Sequence, residues 1–81
     1  MKLPLSNEAL DLKGEVCPFT FVKTKLKLET MEIGEILDVT VDNSESAANV
    51  PRSLELEGQE VLVVEKVKGT VDWHILVTKK V

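Results

Sequence analysis

From Leu10 onward the apolar residues of this chain switch between a two-residue and a helical spacing, and the order of those switches constrains the fold more than any other feature. In "EILDVTVD" (35–42) Leu37, Val39 and Val41 fall on one side and Ile36, Asp38 and Thr40 on the other, as in a strand with one buried face. "EALDLKG" alternates Leu10 and Leu12 with Asp11 and reads as a short first strand ending at Gly14. "QEVLVVEKV" and "VDWHILVTK", separated by the turn "KGT", are two β-rich runs that predict an antiparallel hairpin.

Helical spacing occupies the two gaps. In "NSESAANVPRSLELEG" either Asn43 or Ser44 suits the cap, Ala47, Val50 and Leu54 share a face, and Gly58 stops the helix. Pro51 inside this pattern predicts a kink or restart at Val50, with Asn49 as a second cap. "CPFTFVKTKLKLETM" fits two periods. Phe21, Lys23, Lys25 and Lys27 alternate as in a strand, whereas Phe19, Val22, Leu26 and Glu29 or Thr30 lie on one helical face. Pro18 decides in favour of helix, because a proline costs nothing at the first helical position, where its missing N–H has no partner to lose. The expected helix runs from Pro18 to about Thr30, with Cys17 at the N-cap and an end at the "EIGE" containing Gly34.

The order is β-α-β-α-β-β. Right-handed crossovers then place both helices on one face of a four-stranded mixed sheet, giving an α/β two-layer sandwich whose other sheet face is open. At 81 residues there is material for one such domain.

Composition excludes several function classes. No apolar run approaches the ~20 residues of a membrane span, and the N-terminus lacks a signal-peptide pattern, so a cytoplasmic protein without membrane contact is expected. One cysteine rules out an internal disulfide or a CxxC couple, and Cys17 and His74, far apart, make no zinc set. No metal or cofactor is expected. Direct nucleic-acid binding is not expected at a net charge of −4, since it relies on many cationic phosphate contacts. The charge is unevenly spread. Lys13, Lys23, Lys25 and Lys27 oppose Glu15 alone between residues 13 and 28, whereas acids dominate from Glu29 to Glu60.

A cysteine at a helix start meets unsatisfied N–H donors and a partial positive charge, which favour the thiolate. Lys13 is placed to reach back toward it, and the Thr20 hydroxyl, three residues on, is a candidate donor to it. The competing reading is a small buried hydrophobe. Spacing alone leaves both open. The lysines after Cys17 divide in the same way, between a solvated helix face and a docking surface, Lys23 and Lys27 above all, for an acidic partner. Of Phe19 and Phe21, at least one belongs in the core, and the other is available to surround the thiol. Trp73 is expected against the sheet and His74 on its solvent side.

"LDLKGEVCPFTFVKTKLKL" resembles the signature region of the TusA/SirA-like family of small sulfur carriers, in which a strand ends in Gly and Cys-Pro-x-Pro begins the first helix. The likeness continues through "GEILDVTVDNSESAANVPRSLELEGQEVLVVEK", leaving residues 1–9 as an extension to a core of 10–81. The resemblance implies the same β-α-β-α-β-β sandwich. It implies that Cys17 accepts a sulfane sulfur as a persulfide and relays it from a donor protein to an acceptor protein. Pro18 would then start the helix that presents Cys17, and Gly14 would be the turn that brings the strand end near it. This is sulfurtransferase-type relay without independent turnover, and a monomer is expected. Departures from the motif are Thr20 in place of the second proline, Lys13 in place of an arginine, and Asn49 in place of an aspartate. The alternatives are a non-catalytic interaction module with an inert Cys17 and a redox-sensing thiol.

Overall fold

The computed structural model describes residues 7–16 and 19–81. Its elements are β1 (Glu8–Asp11), α1 (Phe19–Glu29), β2 (Ile36–Val41), α2 (Ser44–Leu56), β3 (Glu60–Lys66) and β4 (Trp73–Thr78). The order is the expected β-α-β-α-β-β. The first strand takes in Glu8 and Ala9, which pair with Leu37 and Asp38.

The sheet order is β1-β2-β4-β3. β1 runs parallel to β2, and β4 is antiparallel to both β2 and β3, so the sheet is mixed. Alternation sets the core. Leu37, Val39 and Val41 of β2 are fully buried beside Ile75 and Val77 of β4, and Ala47, Val50 and Leu54 of α2 close over them. Each such valine, leucine or isoleucine contributes about 1.5–3 kcal/mol on burial. Trp73 and Phe21 pack at the margin of this cluster. The Val61/Val63 bulge in β3 shifts register against β4 and has no sequence signal.

α2 is capped by Asn43, whose backbone is extended (φ −148°) and whose side chain accepts from Ser46 N–H at 2.7 Å. At its other end Gly58, at φ +95°, lets Gly58 N–H bond Glu55 C=O and Gln59 N–H bond Leu54 C=O. This is the left-handed glycine cap that helps close the last carbonyls of the helix. The expected restart at Val50 does not occur: one helix runs through Pro51, and Asn49 lies inside it rather than at a cap. Pro51 is itself buried, so the packing of its ring stands against the missing hydrogen bond.

α1 forms as expected, but its orientation is unusual. Phe19, Val22 and Leu26, the apolar face of the sequence pattern, point to solvent. The buried side consists of Thr20, Thr24 and Leu28. Those hydroxyls are satisfied within the fold. Thr24 Oγ1 donates to Thr20 C=O at 2.7 Å, and Thr20 Oγ1 lies 3.2 Å from Ser46 Oγ where α1 meets α2. Among the described residues no buried side-chain nitrogen or oxygen lacks a partner, as a stable low-dielectric interior requires.

Candidate functional site

Because β1 and β2 are parallel and in register from Glu8↔Leu37 to Asp11↔Thr40, their C-terminal ends emerge side by side. The loop after β1 therefore lies against the turn after β2. Gly14, at φ +88°, donates its N–H to Asp42 Oδ2 at 2.8 Å. Asn43 Nδ2 lies 3.4 Å from Glu15 C=O, and Glu15 N–H closes onto Leu12 C=O at 3.0 Å. Asn43 thus serves twice, capping α2 and bracing this loop. Lys13 N–H bonds Asp11 Oδ1 at 3.0 Å, and the Lys13 ammonium stands 3.8 Å from the same carboxylate. Asp11, Asp42 and Asn43 so hold residues 13 to 15 of the segment that leads into α1.

Cys17 and Pro18 lie outside the described residues. The Val16 carbonyl before them accepts from Phe19 N–H (2.8 Å) and Thr20 N–H (3.3 Å), so the hydrogen bonding that opens α1 reaches back to Val16. Thr20, a candidate partner of the thiol, is fully buried with its hydroxyl toward Ser46. Phe21 is the core phenylalanine and Phe19 the exposed one, 57% accessible.

The α1 lysines are engaged within the chain. Lys23 Nζ is 2.9 Å from Glu15, Lys27 Nζ 3.0 Å from Glu8, and Lys25 Nζ 3.0 Å from Glu57. The hydrogen bond to Glu57, and then its charge, raise the Lys25 pKa above the ordinary 10.5. Each lysine reaches a different neighbour, the loop, β1 or the end of α2, so together they brace α1 from both flanks. Exposed pairs of this kind contribute little individually.

A shallow groove lined by Asp42, Asn43, Ser44, Lys66, Val71 and Trp73 opens beside the loop anchors, with a volume of about 350 Å³. On the open sheet face His74 Nδ1 lies 2.9 Å from Asp38 Oδ1 and 3.4 Å from Thr40 Oγ1. His74 is on the side away from Ile75, as expected, and is anchored there rather than free. Among the described residues no three His, Cys, Asp or Glu side chains gather as metal ligands, and no helix is long and apolar enough to cross a membrane.

Sequence reasoning missed Asp42 as a loop anchor and Ser46 as the partner of Thr20. The signal available was the polar pair Asp42-Asn43 directly after a strand, but its partner 28 residues away is set by the strand register.

The model of the sulfurtransferase TusA family matches residues 8–79. The chain is 60% identical over 75 residues to a candidate sulfur carrier protein of Archaeoglobus fulgidus, covering 93% of this chain and 84% of that one. It is 41% identical to another from Thermotoga maritima, covering 90% and 91% of the two chains. Identity is 32% to the candidate sulfur carrier YedF of Escherichia coli, with coverages of 93% and 97%. The crystal structure of a SirA-like protein from Desulfitobacterium hafniense superposes with a TM-score of 0.75 at 27% identity, over 91% of this chain and 99% of that one. Matched from its first strand to the end of its last, this chain belongs to the TusA sulfurtransferase family.

Proposed function

We propose that the protein is a sulfur carrier whose Cys17 accepts a sulfane sulfur as a persulfide and hands it to a partner protein. The observation that carries this reading is the 60% identity, over 93% of the chain, to a candidate sulfur carrier. The chain's single cysteine and the anchored loop that leads to it agree with the role. In the loading step the Cys17 thiolate attacks the outer sulfur of a donor persulfide, R–S–SH. A new S–S bond forms at Cys17, the donor S–S bond breaks, and its electron pair leaves on R–S⁻, so the exchange is redox-neutral. Unloading repeats the exchange with an acceptor thiolate attacking the outer sulfur on Cys17. A chain with no second cysteine cannot resolve its own persulfide as an internal disulfide, which suits a relay between a donor and an acceptor protein.

Intact mass after incubation of reduced protein with inorganic polysulfide tests the reading. Wild type gains one sulfur, about 32 Da, reversibly with reductant, and Cys17→Ala gains none. No gain on wild type overturns the carrier assignment and favours a module that keeps the fold without the relay.

A further inference from the structure

The outward face of α1 is built the wrong way round for a helix shaped by folding alone. Thr20 and Thr24 are fully buried, while Phe19, Val22 and Leu26 are 57%, 45% and 55% exposed. Spacings of three and four residues put these three in one stripe along the helix. Val16, 59% exposed, adds a further apolar side chain three positions before Phe19 in the sequence. A soluble domain gains nothing in its own core from such a stripe, and contiguous exposed apolar surface marks an interaction site.

We infer that this stripe is the surface on which a sulfur-exchanging partner protein seats an apolar patch of its own, an inference that rests on the carrier reading above. Charge narrows the occupant. The lysines that flank the stripe are each closed by a carboxylate of this chain, Lys23 by Glu15, Lys27 by Glu8 and Lys25 by Glu57. With Glu29 exposed beside Leu26, the rim carries no net positive charge, within a chain of net charge −4. That is a poor match for a polyanion such as RNA or an acidic membrane surface, and a good one for an apolar protein face with few charges. Size narrows it further. Four half-exposed side chains offer on the order of a few hundred Å², against about 800 Å² from each partner in a stable interface. The stripe is the centre of a transient contact rather than of a lasting dimer. Position completes the argument. Val16 and Phe19 directly flank the Cys17–Pro18 pair, so a protein bringing its sulfur to Cys17 meets both of them, whereas a second copy seated there would obstruct exchange. Docking through this stripe is distinct from the expected docking through Lys23 and Lys27, which lie along one side of it, and the two are separated by experiment.

The test separates chemistry from docking. Wild type, the triple variant Phe19→Ser/Val22→Ser/Leu26→Ser and the double variant Lys23→Gln/Lys27→Gln are each loaded in two ways: with inorganic polysulfide, and in source-cell extract given [35S]cysteine or [35S]thiosulfate. Circular dichroism melts establish that each variant is folded. The expected result is polysulfide loading equal to wild type for both variants. Loading from extract falls at least tenfold in the triple variant and less than twofold in the lysine variant. Equal extract loading by wild type and the triple variant overturns the proposal, as does a tenfold loss in the lysine variant alone. It is also overturned if wild type takes sulfur from polysulfide and none from extract. A wild-type dimer in sedimentation that the triple variant turns to monomer overturns it as well, assigning the stripe to self-association. Failure of wild type with polysulfide sinks the carrier reading itself and is recognisable as such.

Discussion

Thr20 and Ser46 show how a single position couples composition to architecture. Each hydroxyl is fully buried and each has the other 3.2 Å away, so removing one strands its partner in a low-dielectric contact. Thr20→Val conserves shape and is expected to cost about 1–3 kcal/mol, the penalty of one unsatisfied buried hydroxyl. Thr20→Val/Ser46→Ala is expected to cost less than the two single changes summed, and urea unfolding of all four proteins measures the coupling. The pair also gives threonine at position 20 a packing role, since only a residue with a hydroxyl can offer Ser46 this partner. Gly14 carries a different constraint. At φ +88° a side chain is strained, although a Cβ there would touch nothing within 4 Å. Gly14→Ala should therefore lose about 1–2 kcal/mol from backbone conformation alone. A loss beyond that range in denaturant melts would mean that the Asp42 contact is disrupted too.

At the scale of elements the two helices use their periodicity in opposite ways. In α2 the apolar positions Ala47, Val50 and Leu54 face the sheet, as spacing predicts, and the cap is legible from Asn43. Asn43→Ala should cost about 1 kcal/mol from the lost cap, and its second contact, to Glu15, should make the loop before α1 exchange amide hydrogens faster. In α1 the same arithmetic recognises the helix but leaves open which of its faces meets the sheet, and the structure turns Thr20, Thr24 and Leu28 inward. Sequence spacing reports which residues share a face, not which face meets the sheet, and two threonines with local acceptors can be buried cheaply. A direct comparison on one helix follows. Leu28→Ala, at a buried position, should destabilise by about 2–5 kcal/mol, whereas Leu26→Ser, two residues earlier and exposed, should stay within about 0.5 kcal/mol of wild type. Equal effects in thermal melts would contradict the orientation of α1.

Over the whole molecule, α1 is tied to β1, to the loop before it and to the end of α2 by Lys27, Lys23 and Lys25. The Lys25 pKa is raised, by its hydrogen bond to Glu57 first and the charge of Glu57 second. A lysine whose folded value lies above its unfolded one contributes stability that is fully present below about 10.5 and lost as pH rises through the raised value. Stability of wild type should therefore fall on the alkaline side more steeply than that of Lys25→Met, with the two converging above that range. Parallel limbs in pH-dependent denaturant melts would mean that the pair does not hold in solution.

The order of elements, the core of β2 and α2, the hairpin and the family likeness were all legible along the chain, because each depends on residues within a few positions of one another or on a contiguous motif. The loop anchors were not. Gly14 meets Asp42, and Thr20 meets Ser46, only after strand register and helix rotation are set, and those are decided by how apolar area and hydroxyls are best buried together. Local spacing, with Pro18 deciding the first helix, determined that this chain makes two helices over a four-stranded sheet. Packing of the whole decided that the first helix turns its threonines inward and leaves its phenylalanine, valine and leucine to the surface.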